Sequence, residues 1–303
     1  MATFDNAKAN NFFQFLANKI EDHKQLVKFK LNLTVVFSAL FGYLMAMGGS
    51  FEWLSLLMLS AGGFFVTSSA NAINQIIEKD YDKLMKRTAN RPLSAGRMEL
   101  PEAVLIAGTS GVLGLLILWH FFNPLAALLG AISLIAYAFI YTPLKRISPI
   151  AVLVGAIPGA LPVLIGWIAA TGAEGWNTYA FLLFGIQFLW QFPHFWAIGW
   201  MGYDDYKKAG FKLLPIQYEA RNKQTATHII IYTIAVVLVS LLPVFIGMCG
   251  YYTAAAVILL GGYFIYTTIK LWQNCDHASA LKVMFASILF LPLTQIVMVL
   301  DKI

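Results

Sequence analysis

The sequence predicts an all-α protein that crosses a membrane many times. Hydrophobic residues make up 59% of the 303 residues, charged residues make up 12%, and the mean hydropathy is +0.70. Because soluble domains carry roughly 25% charged residues, this composition indicates that lipid surrounds most of the chain. The apolar residues form runs of membrane-spanning length, and a run inside lipid must satisfy its backbone hydrogen bonds internally, as an α-helix does.

Nine apolar runs are long enough to be transmembrane helices. Short connections join them on one side of the membrane, and the longer polar segments lie on the other side. Together they predict a single polytopic membrane domain over residues 31–303. We expect the spans near residues 31–49, 53–77, 101–121, 124–142, 149–170, 178–200, 226–248, 252–272 and 280–300.

The N-terminal segment, residues 1–30, is polar and basic and lacks the apolar core of a signal peptide. We expect it to form a cytoplasmic amphipathic helix on the surface of the membrane. The residues expected on its apolar side are Phe12, Phe13, Phe15, Leu16 and Ile20. The first span, and not this segment, is then the signal for membrane targeting.

The placement of Lys and Arg predicts the orientation of the protein. Of the 21 basic residues, 20 fall on the side of the long polar loops, and only Lys302 falls on the other side. By the positive-inside rule the N-terminus and these loops are cytoplasmic, in a cell inner membrane, and the C-terminus lies on the opposite side. The net charge of +6 reflects this orientation first and attraction to anionic lipid or substrate second, so it requires no nucleic-acid partner.

An acidic motif, "NQIIEKDYD", follows the second apolar run. If that span continues as a helix, Asn74, Glu78 and Asp82 lie on one stripe, four residues apart, with Asn71 and Gln75 deeper in the membrane. Two carboxylates about one helical turn apart, with an amide one turn further, are oxygen ligands of the kind that Mg²⁺ prefers. The spacing therefore predicts a site for a hard cation.

The same charges are also typical of a helix that ends in a solvated loop with Lys and Arg counter-ions. The deeper amides argue against this alternative, because polar side chains within a membrane usually face a cavity or a functional site. Basic residues that would suit an anionic ligand on the metal follow the acids closely. They are Lys79, Lys83, Arg87 and Arg91.

A second polar group lies in "FGIQFLWQFPHFW", within the sixth span. Gln187, Gln191 and His194 share one helix face, and polar side chains are costly in lipid unless they line a pocket. An imidazole here can bind a porphyrin iron or donate to a porphyrin carboxylate, but a histidine among aromatics is often only a packing residue. Asp205 follows in the next cytoplasmic loop.

A third group, Tyr141, Lys145 and Arg146, lies at the cytoplasmic end of the fourth span. These side chains are available to a phosphate or a carboxylate. The two cations are equally consistent with a role as plain topology determinants.

These motifs resemble those of the UbiA-type intramembrane prenyltransferases, in particular the branch that farnesylates heme. The similarity covers nearly all of residues 30 to 300. It implies nine helices around a cytoplasm-facing central cavity. The segments that carry it, in chain order, are "NQIIEKDYDKLMKRTANRPLSAGRM", "YTPLKR", "GAIPGALPVLIGW", "WQFPHFW" and "DYKKAGFKLLP".

The resemblance implies a Mg²⁺-dependent transfer of the farnesyl group from farnesyl diphosphate to heme B, giving heme O and diphosphate. The implied catalytic and metal-binding residues are Asn74, Glu78, Asp82 and Asp205. The implied substrate-binding residues are Arg87, Arg91, Tyr141, Lys145, Arg146, Gln187, Gln191 and His194. Two departures from the wider family are Glu78, where Asp is usual, and Ala209, where a further Asp is common, so the number of Mg²⁺ ions stays open.

Other functions are consistent with parts of this pattern. A prenyltransferase for a quinone or another aromatic acceptor would be expected to carry a fuller second acidic motif. A cation-coupled transporter would be expected to carry acids near the middle of the bilayer and internal repeats. A non-catalytic assembly factor would not need the metal site. Besides the lipid bilayer, the expected partners are an enzyme that modifies heme O or a terminal oxidase.

Overall fold

The computed structural model describes residues 2–49, 52–216 and 221–303, and these residues form an all-helical structure. Nine of the described helical segments are long and apolar enough to cross a membrane, which confirms the predicted fold class. The α-helices are α1 (Ala2–Val27), α2 (Phe29–Ala46), α3 (Trp53–Asp82), α4 (Leu100–Phe121), α5 (Pro124–Ile135), α6 (Thr142–Leu144), α7 (Ala151–Thr171), α8 (Thr178–Met201), α9 (Tyr203–Lys208), α10 (Lys223–Phe245), α11 (Tyr251–Asn274) and α12 (His277–Leu300).

The N-terminal segment is helical, as expected, but it lies against protein along part of its length. Leu16 and Ile20 are exposed, whereas Asp22 and Leu26 are buried. The side chains of Phe12, Phe13 and Phe15 lie outside the described residues. The division between residues 1–30 and 31–303 stays a prediction.

The second span extends well beyond the end that hydropathy predicts, and the fourth span does not end as a regular α-helix. Helix α3 continues to Asp82 and is 30 residues, or about 45 Å, long. Helix α5 continues through a π-helical segment, Ala136–Tyr141, into the single turn of α6. Hydropathy predicts the end of a span at the last apolar residue. The polar residues that follow remain helical because other segments of the protein contact them. π-Helical turns inside helices often mark functional sites.

Asparagine and aspartate fix the beginnings of four helices. The side-chain oxygen of each accepts a hydrogen bond from the backbone N–H three residues later, which satisfies a donor with no partner inside the helix. The capping residues are Asn123, Asn177, Asn222 and Asp276, before α5, α8, α10 and α12, at 2.9, 3.0, 3.0 and 2.7 Å.

Helix α7 is the central helix of the described structure. Most of α7 is buried, whereas less than half of the apolar window of every other span is. Glycines let α7 approach α2 closely: a Cβ atom on Gly42 would overlap the Val163 carbonyl, and one on Gly166 would overlap the Ala39 carbonyl. Small residues allow such close backbone contact between helices in lipid, where apolar burial alone gives no driving force.

The last residues of the chain join three helices at the end of α2 that lies away from Phe29. Asp301 accepts a 2.7 Å hydrogen bond from the backbone N–H of Thr253 at the start of α11. Lys302 donates to the carbonyl of Leu44 at 2.7 Å. This lysine is the one basic residue that the sequence assigns to the opposite side of the membrane.

We expect Gly42→Ala to lower the thermal unfolding midpoint in detergent, because the added methyl forces α2 and α7 apart. Such overpacking typically costs about 1–3 kcal/mol. Gly108→Ala on α4 is the matched control, since a Cβ atom there meets no atom within 4 Å. Equal midpoints for the two variants would contradict the close packing of α2 and α7.

Candidate functional site

The polar stripe of α3 faces protein along its whole length. Asn71, Asn74, Gln75, Glu78 and Asp82 are each 4% exposed or less. Asp80, which lies off this stripe, has a side chain that is 67% exposed. Glu78 and Asp82 are therefore buried carboxylates and not the solvated end of a helix.

The deeper amides of the stripe bind the N-terminal segment. Gln75 donates to the carbonyls of Gln25 and Leu26 at 2.7 and 2.8 Å. Asn71 donates to the carbonyl of Val27 at 3.3 Å. These carbonyls lie in the last turn of α1, where helical carbonyls lose their partners within the helix. The carbonyl of Gln25 also accepts a 3.2 Å hydrogen bond from the backbone N–H of Lys28. The two amides thus hold the junction of α1 and α2 against the site.

Each of the other three stripe residues contacts one basic side chain. The pairs are Asn74 with Lys28 at 2.8 Å, Glu78 with Lys145 in an ion pair, and Asp82 with Arg91 at 2.6 Å. The three cations come from the α1–α2 junction, the residue after α6, and the loop after α3. In the sequence, Lys28 is one of the 20 basic residues on the side of the long polar loops, and none of the quoted motifs includes it.

Lys145 is held by the π-helical region and by the loop after α9. Its ammonium lies 5.0 Å from the ring centre of Tyr141 and 5.2 Å from that of Phe211. Burial lowers the pKa of Lys145, while the neighbouring carboxylate of Glu78 acts in the opposite direction. A buried ammonium of this kind is stable only beside an anion.

Thr142 connects the π-helical region to the stripe. Its hydroxyl donates to the Tyr137 carbonyl at 2.9 Å and accepts a 3.0 Å hydrogen bond from the Asn74 side-chain nitrogen. The second contact turns the oxygen of the Asn74 amide toward Lys28. Sequence reasoning missed Thr142, because only its three-dimensional position next to α3 gives it a role.

The loop after α3 folds back over the end of that helix and positions Arg91. Thr88 donates to the carbonyl of Asp82 at 2.9 Å, and Ser94 donates to the carbonyl of Lys79 at 3.1 Å. Arg97 pairs with Asp22 of α1 at 2.8 Å. The loop and α1 therefore enclose the acidic end of α3 together.

Two further predicted cations, Arg87 and Arg146, each lie against a tyrosine. Arg87 donates to the hydroxyl of Tyr206 at 2.8 Å, and Arg146 donates to the hydroxyl of Tyr81 with its guanidinium 3.9 Å from the ring centre. Burial raises the pKa of Tyr206, so this phenol stays neutral beside Arg87. These contacts position the two guanidinium groups beside α3, the helix that carries the buried acids.

The structure places Asp205 on the short helix α9. Its carboxylate lies 3.7 Å from the ammonium of Lys208, and its neighbour Tyr206 packs with Met85 of the loop after α3. Within residues 2–49, 52–216 and 221–303, no three His, Cys, Asp or Glu side chains lie close enough to share one metal ion. The metal role of Asp205 stays a prediction.

Gln187 and Gln191 connect α8 to its neighbours. Gln187 accepts a 3.0 Å hydrogen bond from Gln295 of α12, and Gln191 donates to the Ala156 carbonyl of α7 at 2.9 Å. A Cβ atom on Gly159 would overlap the Gln191 amide, so this glycine makes room for it. Each amide therefore hydrogen-bonds a polar group of a neighbouring helix, and the role of both in substrate binding stays a prediction.

His194 lies at the interface of α8 and α12. Its Nδ1 atom is 2.8 Å from the Ser287 hydroxyl, and its ring stacks on that of Trp190 with centroids 4.6 Å apart. The residue is partly exposed. These contacts fix the plane of the imidazole, and contact with heme stays a prediction.

The donor set at the end of α3 fits a hard divalent cation. One oxygen of Asp82, Oδ1, is buried and has no hydrogen-bond partner among the described residues. Leaving a buried acceptor unsatisfied is costly, and carboxylate and amide oxygens are the ligands that Mg²⁺ takes. Asn74, Glu78 and Asp82 would hold such an ion, and the surrounding cations would meet an anion bound to it.

Comparison with known proteins identifies related sequences over nearly the whole chain. Residues 35–291 match the model of the UbiA prenyltransferase family. The protoheme IX farnesyltransferase of Cytophaga hutchinsonii is 48% identical over 288 residues, which cover 95% of this chain and all of that protein. The protein of the same name from Christiangramia forsetii is 45% identical over 94% of this chain and 95% of its own length. The family resemblance in the sequence is thereby confirmed.

Solved structures of low sequence identity share the fold. A digeranylgeranylglyceryl phosphate synthase has a TM-score of 0.76 at 22% identity, covering 94% of this chain and 98% of that one. A UbiA homolog from Archaeoglobus fulgidus bound to GPP and Mg²⁺ has a TM-score of 0.62 at 15% identity, covering 92% of this chain and 99% of that one. At these identities the similarity establishes the shared fold alone.

We expect Lys145→Met to destabilise the protein, because it leaves the buried Glu78 carboxylate without its counter-ion. Removing one partner of a buried ion pair typically costs about 3–5 kcal/mol. The double variant Lys145→Met, Glu78→Gln should recover much of this loss in thermal unfolding. Lys83→Met, which breaks the exposed pair with Asp80, is the control and should change stability by less than about 1 kcal/mol. No recovery in the double variant would contradict the coupling.

Proposed function

Because the chain belongs to the UbiA prenyltransferase family, we propose that it transfers the farnesyl group of farnesyl diphosphate to a vinyl group of heme B. The names of its full-length relatives support this donor and acceptor. The buried acids and bases at the end of α3 support a reaction that begins with the loss of a diphosphate. The chain is a multi-pass membrane enzyme, and a membrane site suits two substrates that are largely apolar.

The reaction breaks the C–O bond of the donor, the π bond of the vinyl group and one O–H bond of water, and it forms one C–C bond and one C–O bond. The C–O bond between farnesyl and diphosphate breaks, and the allylic carbon forms a C–C bond with the terminal vinyl carbon of heme B. Water then adds its oxygen to the other vinyl carbon and releases a proton. Heme O and diphosphate are the products. No nucleophilic side chain takes part, so the residues act by binding, neutralising charge and excluding water.

Asn74, Glu78 and Asp82 would hold Mg²⁺, with Asp205 as a further candidate ligand. When bound, the ion supplies Lewis-acid stabilisation of the negative charge on the diphosphate. The unpaired Oδ1 atom of Asp82 is the observation that carries this assignment. The carboxylates also keep their positions through Arg91 and Lys145, so little reorganisation is required for binding.

The basic residues around α3 would bind the departing diphosphate. Arg91 and Lys145 already lie against the acids, while Arg87 and Arg146 are aligned by Tyr206 and Tyr81. Guanidinium groups suit phosphate oxygens because they offer several donors in a plane. This arrangement would stabilise the charge that develops as the C–O bond breaks.

The heme acceptor would be bound by the polar residues of α8 and by the segment at the end of the fourth span. His194 would contact heme. Gln187 and Gln191 would shape the wall of the pocket through their contacts with α12 and α7. Tyr141, whose ring lies beside the Lys145 ammonium, would lie next to the diphosphate that Lys145 binds. The partly exposed imidazole of His194 beside Trp190 supports a flat aromatic ligand at this face.

The protein would lie in a cell inner membrane with the site open to the cytoplasm and the C-terminus on the opposite side. The distribution of basic residues supports this orientation, since the one assigned to the opposite side, Lys302, lies at the other end of α2 from Lys28. Heme O would then pass to an enzyme that modifies it or to a terminal oxidase.

Purified protein incubated with heme B, farnesyl diphosphate and Mg²⁺ should yield a hydroxyfarnesylated porphyrin by mass spectrometry. We expect Asp82→Asn to reduce this product at least about 100-fold, because it removes a charged metal ligand while keeping the side-chain shape. Asp80→Asn, on the exposed side of the same helix, should retain activity. Normal turnover by a folded Asp82→Asn variant would refute the metal assignment.

We expect His194→Ala to weaken binding of heme B by about 10-fold or more, because it removes the polar end of the Trp190 stack. Binding of farnesyl diphosphate should stay within about 2-fold of the wild-type value. Heme absorption titrations and a separate donor-binding assay measure the two effects. Equal losses for both ligands would contradict a heme-specific role.

A further inference from the structure

Lys28 is a site residue that lies outside the sequence segments quoted above for the family resemblance. It forms the junction between α1 and α2 and has a left-handed backbone, with φ 53° and ψ 57°. This conformation is strained for a residue with a Cβ atom. Such strain persists where surrounding contacts over-determine it, and it often occurs at functional sites. Here the conformation turns the lysine toward α3.

The ammonium of Lys28 reaches the amide that begins the candidate metal site. It donates to Asn74 Oδ1 at 2.8 Å, and Thr142 holds the other end of the same amide at 3.0 Å. An anion bound to a metal ion that Asn74, Glu78 and Asp82 hold would therefore lie next to this ammonium. An ammonium has three N–H donors, so one contact to Asn74 leaves it able to bind a second oxygen.

Lys28 differs from the two neighbouring basic residues in having no carboxylate as its partner. Lys145 and Arg91 each form an ion pair with a carboxylate. Lys28 pairs with a neutral amide, and in the described part of the chain no carboxylate lies within 4.0 Å of it. Three cations thus surround two acids, which leaves an excess of positive charge at the end where Lys28 lies.

The surroundings of Lys28 reflect this excess. The residue as a whole is only partly exposed, and its ammonium contacts the same stripe of α3 as the ammonium of Lys145 and the guanidinium of Arg91. A multiply charged anion placed at the site would remove the repulsion among the three cations.

We propose that Lys28 binds the diphosphate of the prenyl donor, as a third cation beside Arg91 and Lys145. This inference rests on the proposed function and adds the α1–α2 junction to the donor site. It also gives the contacts of Asn71 and Gln75 a purpose, because these amides hold the junction that presents Lys28 to the donor.

Direct binding of farnesyl thiodiphosphate, a slowly reacting donor analogue, in the presence of Mg²⁺ tests this role. Lys28→Met should weaken binding of the analogue about 10- to 100-fold, because a charge-assisted hydrogen bond to phosphate is lost. Heme B binding, followed by absorbance, should not change. Lys28→Arg should restore most of the affinity. Lys30→Met, which removes an exposed lysine from the same segment, is the matched control and should bind like the wild type.

Lys28→Gly separates binding from folding. Glycine adopts a left-handed backbone without strain, so its thermal midpoint should equal or exceed that of the wild type, while binding of the analogue should fall as in Lys28→Met. Wild-type affinity in Lys28→Met would overturn the proposal, and so would equal loss of analogue and heme in Lys28→Gly with a lowered midpoint. A wild-type protein that binds no analogue would instead refute the proposed function.

Discussion

Two carboxylates buried at the end of a membrane helix impose the constraint around which the site is built. A charge removed from water is stable only beside a counter-charge, and the lipid offers none. Glu78 and Asp82 therefore require cations from elsewhere in the chain, which Lys145 and Arg91 supply. The loop after α3 and the segment that follows the π-helical region converge on one end of α3 for this reason. An anion-binding site results from the same charges that allow the acids to be buried.

The rest of the molecule supplies a rigid frame for this convergence. Glycines bring α2 and α7 into backbone contact, and the C-terminal residues join α2 to α11 and α12 at the other end of α2. The amides of α8 are used in the same way, to satisfy polar groups between helices. The close packing of α2 and α7 stabilises the fold, and the polar cluster at one end of α3 provides the groups for the proposed chemistry.

The sequence predicts what depends on local periodicity and misses what depends on tertiary neighbours. The four-residue spacing of Asn74, Glu78 and Asp82 places them on one face because α3 continues as a helix, and hydropathy identifies the spans because lipid imposes their length. The partners of those residues come from distant segments. In the sequence, Lys28 has the pattern of a basic residue that sets membrane topology. Its left-handed backbone cannot be predicted from the sequence, because lysine rarely adopts that conformation. The π-helical segment before Thr142 likewise depends on packing and not on composition.

We propose that Asn74, Glu78 and Asp82 hold a divalent cation that contacts the diphosphate of the donor. Electron paramagnetic resonance with Mn²⁺ in place of Mg²⁺ tests this proposal, using the wild-type protein, farnesyl thiodiphosphate and an Asn74→Ala comparison. We expect protein-bound Mn²⁺ with hyperfine coupling to ³¹P when the analogue is present, and a weakened signal in Asn74→Ala. Bound Mn²⁺ without ³¹P coupling, or coupling of full strength in Asn74→Ala, would contradict it.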